Sequence, residues 1–253
     1  MKQHLFLQRG VFVLATLSAL LFAACYKDSN SNASVLIPQT LYTVTNSAKS
    51  IPADGYSKVN ITVQGLPVNT DDTGNSVIFT TDYGLFISNS TNSATVPWTY
   101  VANPAENDSL ERTATAILKG TIIPDTAYVT ATLNSVTVAD TLYFVAAYPN
   151  QLFIQPSSAV INTSDTTGIS VVVSLVRYYG TPSLYTPVTL TVNTSSTNNV
   201  VAFSQYQNLS DSTGKCYFQF TFLDATYNGN LTVTATAPGS PPVSESITLA
   251  VSH

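Results

Sequence analysis

Lys58-Val59-Asn60-Ile61-Thr62-Val63-Gln64 alternates polar and apolar side chains, and this period of two limits the chain more than any other feature. Successive side chains of a strand point to opposite faces, so the alternation describes a strand with one wet and one buried face. It recurs at Ala114 to Leu118, Ala127 to Leu133, Asp140 to Phe144, Ile169 to Leu175, Pro187 to Val192, Leu231 to Ala237 and Ser246 to Val251. Val, Ile, Thr, Tyr and Phe dominate these runs, as pleated surfaces favour. Asp54-Gly55, Thr73-Gly74, Asp82-Tyr83-Gly84, Gly180, Ser212-Thr213-Gly214 and Asn228-Gly229 punctuate them as turns. No segment beyond the N-terminal region carries a helical stripe. Many short strands with regular turn signals predict an all-β protein of packed sandwiches.

The pattern also repeats. Arg112 to Leu118, a turn over Gly120 to Asp125, Ala127 to Leu133 and a strand near Val138 to Val145 match a second series. That series runs from Thr213 to Phe218, through a turn over Asp224 to Gly229, to Leu231–Ala237 and Val243–Val251. Two units follow, 40–147 and 148–253, each long enough for its own core. The joint falls near Ala147-Tyr148-Pro149-Asn150, and its shortness predicts limited freedom between them.

The N-terminus has a different character. Met1 to Gly10 carries Lys2 and Arg9 and no acid, and Val11 to Ala24 is an unbroken run of apolar and small residues. The run is shorter than the ~20 residues of a spanning helix and fits the core of a secretory signal over residues 1–24. It ends in Leu21-Phe22-Ala23-Ala24-Cys25, which resembles the bacterial lipobox. That resemblance implies a lipid on the Cys25 thiol and cleavage before it, so the expected membrane partner is reached through that lipid. An ordinary signal peptide cut after Ala24 is the alternative. Residues 25–39 then read as a short flexible tether, polar and without period. Lys27-Asp28 resembles part of the acidic export signal of surface lipoproteins, which implies a Gram-negative outer-membrane, surface-exposed location; a periplasm-facing one stays open.

Composition excludes several functions. Only 9% of residues are charged while 44% are hydrophobic, opposite to a disordered chain. Nine basic residues against 14 acidic ones leave no electrostatic footprint for nucleic acid. Loss of residues 1–24 removes Lys2 and Arg9 and no acid, moving the net charge from −5 to −7. Of the two histidines, only His253 follows the signal, at the C-terminus, so no catalytic triad is expected and no catalytic residue is proposed. No phosphate loop or zinc spacing occurs, and no cofactor, metal site or small-molecule substrate is expected. Asp71-Asp72 and the group Glu106, Asp108 and Glu111 could offer oxygen ligands to Ca²⁺ but lack a calcium-loop spacing, so solvated loops are the reading. With Cys25 lipidated, Cys216 has no disulfide partner; it shares a strand face with Phe218, Phe220 and Phe222 and reads as a buried small hydrophobe.

Binding residues are sought among the aromatics. Trp98, Tyr100, Tyr178, Tyr179, Tyr206 and Tyr227 fall near strand ends or loops, where rigid amphipathic rings can hold sugar or protein or simply cap a sandwich. Tyr178-Tyr179 before Gly180 is the candidate binding pair. Asp125-Thr126-Ala127, Asp140-Thr141-Leu142 and similar triplets at Asp108, Asp165 and Asp211 resemble the acceptor motif of one bacterial O-glycosylation system, although a chain rich in Ser and Thr supplies such triplets by chance.

A family resemblance rests on the first unit. Ile51-Pro52-Ala53-Asp54-Gly55 leads into Lys58-Val59-Asn60-Ile61-Thr62-Val63, and later comes Val77-Ile78-Phe79-Thr80-Thr81-Asp82-Tyr83-Gly84-Leu85-Phe86. This resembles the bacterial immunoglobulin-like repeat of invasin and intimin stalks. The second unit keeps Thr186-Pro187-Val188-Thr189-Leu190, Ser212-Thr213-Gly214-Lys215 and Val233-Thr234-Ala235-Thr236 but has Val192-Asn193-Thr194-Ser195 where the Phe-Thr-Thr segment stands in the first. The resemblance implies tandem immunoglobulin-like sandwiches, adhesion and a possible protein or glycan partner. It brings no catalytic residues. A structural spacer, or an accessory part of an envelope assembly, is the alternative, and a carbohydrate-binding lipoprotein is a further one.

Overall fold

A computed structural model describes residues 42–65, 76–103, 109–133, 136–163, 168–194 and 200–253. The signal segment, Cys25 and the tether lie outside the described residues, as do Asp71, Asp72, Glu106, Asp108 and Asp165. Among the described residues every regular element is a strand.

The first half contributes β1 (Tyr42–Asn46), β2 (Ser50–Pro52), β3 (Lys58–Gly65), β4 (Ser76–Thr81), β5 (Leu85–Phe86), β6 (Ser93–Pro97), β7 (Thr99–Asn103), β8 (Ser109–Lys119), β9 (Asp125–Leu133) and β10 (Val136–Val145). One sheet runs β1-β3-β8-β5 with β7 also on β8, and the other runs β2-β10-β9-β4-β6. The second half contributes β11 (Gln151–Pro156), β12 (Val160–Asn162), β13 (Ile169–Val176), β14 (Thr189–Thr194), β15 (Val201–Gln207), β16 (Lys215–Phe222), β17 (Gly229–Ala237) and β18 (Val243–Ser252). Its sheets run β11-β13-β16-β15 and β12-β18-β17-β14.

The two topologies are one plan used twice. In each half the leading segment pairs antiparallel in one sheet and then switches sheets to pair parallel with the last strand, β2 on β10 and β12 on β18. Alternation then does what the sequence requires. Val59, Ile61 and Val63 of β3 face Phe79, Val129 and Leu142 of the opposite sheet across one core. Val171 and Val173 of β13, with Phe218 and Phe220 of β16 beside them in the same sheet, face Leu231 and Val233 of β17 across the other. Each such side chain contributes roughly 1.5–3 kcal/mol on burial. Cys216 is fully enclosed in the second core, and burial, with the charge of Asp211 second, pushes its thiol up to about 12.

The outer faces explain how so few ions suffice. Cross-strand hydroxyl pairs run along them: Thr62 with Thr115, Thr80 with Thr130, Thr132 with Thr137, Thr234 with Ser246 and Thr236 with Ser244. Such pairs stabilise a sheet by roughly 0.2–1 kcal/mol each without a charge.

The Val77–Phe86 segment folds as its composition asks. Phe79 and Phe86 are buried with ring centroids 6.2 Å apart. The Thr81 hydroxyl donates to the Tyr83 carbonyl at 2.6 Å, and Asp82 accepts the Tyr128 amide at 2.8 Å. Gly84 takes φ +85°, and a Cβ there would lie 2.8 Å from the Lys119 carbonyl oxygen. A left-handed turn pressed against backbone leaves glycine as the residue that fits.

Candidate functional site

The segment around the predicted tyrosine pair is the place where the two sandwiches join. Arg177-Tyr178-Tyr179-Gly180 leaves β13 and crosses to the Ala53-Asp54-Gly55 turn that follows β2. The Thr181 amide donates to the Asp54 carbonyl at 2.9 Å and the Leu184 amide to the Ile122 carbonyl at 2.8 Å. Ser183 is buried and makes three bonds across the joint. Its amide donates to the Ala147 carbonyl at 2.9 Å, its hydroxyl donates to the Ala53 carbonyl at 2.7 Å, and its hydroxyl oxygen accepts the Ala147 amide at 2.8 Å. Gly180, at φ +72°, comes so close that a Cβ would sit 2.5 Å from the Asp54 carbonyl oxygen.

Asp54 organises the facing side. Its side chain is 2% exposed. One carboxylate oxygen accepts the amides of Tyr56 at 2.9 Å and Ser57 at 2.7 Å. The other accepts the Ser57 hydroxyl at 2.8 Å and faces an Arg177 Nη at 3.6 Å. Arg177 is spread over further acceptors: Nε donates to the Tyr179 carbonyl at 3.3 Å and Nη1 to the Tyr148 carbonyl at 2.6 Å. The guanidinium fork, with five N–H donors, suits several acceptors at once.

Above this pair lies an open groove of about 490 Å³. Pro52, Asp54, Tyr56 and Lys58 line it from the first sandwich, and Arg177 and Tyr179 from the second. The rings of Tyr56 and Tyr179 stack across the joint with centroids 5.9 Å apart and planes at 20°. Both rings remain wet, at 56% and 69% exposure.

No family model matches the chain, and no curated protein matches it. Solved structures do. InvE, an adhesin of Yersinia pseudotuberculosis, aligns over 83% of this chain and 59% of its own length, at 17% identity and a TM-score of 0.51. Invasin, a bacterial integrin-binding protein, aligns over 83% of this chain and 39% of its own, at 16% identity and a TM-score of 0.57. The fold is the immunoglobulin-like fold of invasin-type adhesins. The chain spans less than two thirds of either protein, and at these identities the likeness concerns the fold.

Within this invasin-type fold the sequence candidates separate. Tyr179 lines the groove. Tyr178, 71% exposed, lies on the same loop and is not part of the groove lining, with its amide held by the Asn150 side chain at 3.0 Å. Tyr100 and Tyr206 are exposed, and Tyr206 packs edge-on to Phe203 and Phe218. Trp98 is half-buried under the Arg112 guanidinium, 5.6 Å from the ring centroid. Tyr227 is 7% exposed, stacks on Phe222 and donates its hydroxyl to the Asn230 carbonyl, so it belongs to the core. His253 is exposed, with Nδ1 3.4 Å from the Thr163 hydroxyl. The calcium candidates lie outside the described residues, as does the side chain of Glu111.

Sequence reasoning missed Tyr56, Asp54, Arg177 and Ser183 as parts of one arrangement. Two signals pointed there. Arg177 is one of nine basic residues in the chain and directly precedes the tyrosine pair, and Asp54-Gly55 was legible as a turn. Nothing in one sequence pairs a turn at 54 with a loop at 180.

Proposed function

We propose that this chain is a lipid-anchored surface protein of the bacterial envelope. Its two immunoglobulin-like domains, 40–147 and 148–253, serve adhesion or another protein or glycan interaction. Residues 1–24 act as the signal peptide, Cys25 carries the lipid and 25–39 forms the tether. The outer membrane of a Gram-negative cell, with the domains facing outward, is the proposed location. The observation that carries the reading is the wet tyrosine surface at the joint, Tyr56, Tyr178 and Tyr179, beside a groove in a fold shared with adhesins. Exposed tyrosines offer large contact area at low entropic cost. The reading is non-enzymatic, supported by the scarcity of acid–base groups in the sequence.

The test displays the full chain on cells and compares binding to arrayed host proteins and glycans with that of a Tyr178→Ala/Tyr179→Ala variant. Binding is expected to fall by about tenfold or more, the range of a lost aromatic anchor. Unchanged binding places recognition elsewhere. A spacer role is the second reading, favoured by the buried bonds of Ser183 that fasten one sandwich to the next. Under it, neither protein binds above background.

A further inference from the structure

The joint groove carries a charge pattern at odds with the rest of the chain. The protein is acidic, yet two of its nine basic residues, Lys58 and Arg177, line this groove against one acid, Asp54. Lys58 and Lys119 stand directly opposite each other in the β3–β8 ladder, and both are exposed. Like charges so placed destabilise a sheet. Among the described residues neither lysine has a carboxylate within ion-pair distance. The only acid lining the groove, Asp54, is already supplied with donors from its own turn and from Arg177.

What remains available to a ligand is therefore rich in donors: the Lys58 ammonium, the guanidinium N–H groups of Arg177 not engaged by the two carbonyls or by Asp54, and the hydroxyls of Tyr56 and Tyr179, which both donate and accept. A neutral sugar needs acceptors for its hydroxyl hydrogens as well as donors. A carboxylate needs donors alone, and charge-assisted bonds to it are the stronger ones. The stacked tyrosine rings add flat apolar area for the C–H face of a pyranose. The volume lies within the ~300–1,000 Å³ of small-ligand sites. We propose that this groove binds a carboxylated sugar, a uronate residue of an acidic polysaccharide. The inference rests on the interaction reading above and gives its partner a chemical class.

The test titrates the full chain in detergent with galacturonate oligomers, with the matching neutral galactose oligomers, and with polyglutamate as an acidic peptide. Galacturonate is expected to bind about tenfold or more tightly than the neutral oligomer, and added salt to weaken it. Lys58→Gln should erase that preference. Tyr179→Ala should weaken both sugars while Tyr179→Phe retains most of the binding, which separates loss of stacking from loss of fold. Equal affinity for charged and neutral oligomers, or tighter binding of polyglutamate, overturns the proposal. So does indifference to Lys58→Gln. If galacturonate does not bind but displayed cells still lose adhesion in the Tyr178→Ala/Tyr179→Ala variant, this inference fails and the interaction reading survives.

Discussion

At the scale of single residues, the joint depends on groups that do two things at once. Asp54 closes its own turn through the Tyr56 and Ser57 amides and also faces Arg177 of the other sandwich. Ser183 is both donor and acceptor across the joint, and it is buried. Replacing Ser183 with Ala leaves the Ala147 amide and the Ala53 carbonyl without that partner. Each stranded buried group costs roughly 1–3 kcal/mol. A chemical denaturation midpoint for Ser183→Ala is expected to fall accordingly, and a shift smaller than about 0.5 kcal/mol contradicts the role, since ordinary surface changes stay within that range. Tyr179 was legible in the sequence because a tyrosine pair before glycine is unusual. Ser183 was not, because one serine in a serine-rich chain carries no mark of burial.

At the scale of elements, legibility followed period and length. β3, β9, β13 and β17 alternate over eight or nine residues and were read directly. The three-residue β2 and β12 were not, since they are too short to show a period, and their parallel pairing with β10 and β18 is a matter of tertiary contact. β15 was missed because its register slips between Phe203 and Gln205, which breaks the alternation. The missing Phe-Thr-Thr segment of the second unit also has a structural counterpart. In the first sandwich that segment builds the β4–β5–β6 corner, while among the described residues β14 is followed by β15 with no such corner.

Turns between elements carry the pH dependence. In the β16–β17 turn Asp224 accepts the Thr226 hydroxyl at 2.7 Å and its amide at 2.9 Å. The hydroxyl bond first, then the amide bond, hold its carboxyl below the usual range. Because the folded value is depressed, the stabilisation is present above the ordinary carboxylate pKa of ~3.9 and is lost as pH falls through the folded value. Asp224→Asn is therefore expected to flatten the acid limb of the stability profile below about pH 4. An acid limb as steep as that of the unchanged protein contradicts it.

At the scale of the whole molecule, residues 42–252 repeat one sandwich plan, and the repeat was visible because its turns and alternating strands recur in the same order. How the copies meet was not visible, because the bonds that join them link residues distant in sequence, Ser183 to Ala53 across 130 positions among them. That meeting matters for function. The groove has one wall from each sandwich, so it exists only while the joint holds. A chain poor in charge leaves few groups to recognise a partner by electrostatics, and two of its nine basic residues, Lys58 and Arg177, line that groove.

A fixed joint presents a formed recognition groove. Spin labels at Tyr128→Cys on β9 and Glu245→Cys on β18 report it directly, in a full chain carrying Cys25→Ser; the enclosed Cys216, with its thiol pushed up to about 12, stays unlabelled. A single narrow distance distribution, broadened by Ser183→Ala, is expected. A broad distribution in the unaltered joint would mean that the sandwiches swing freely and that the groove is not a standing site.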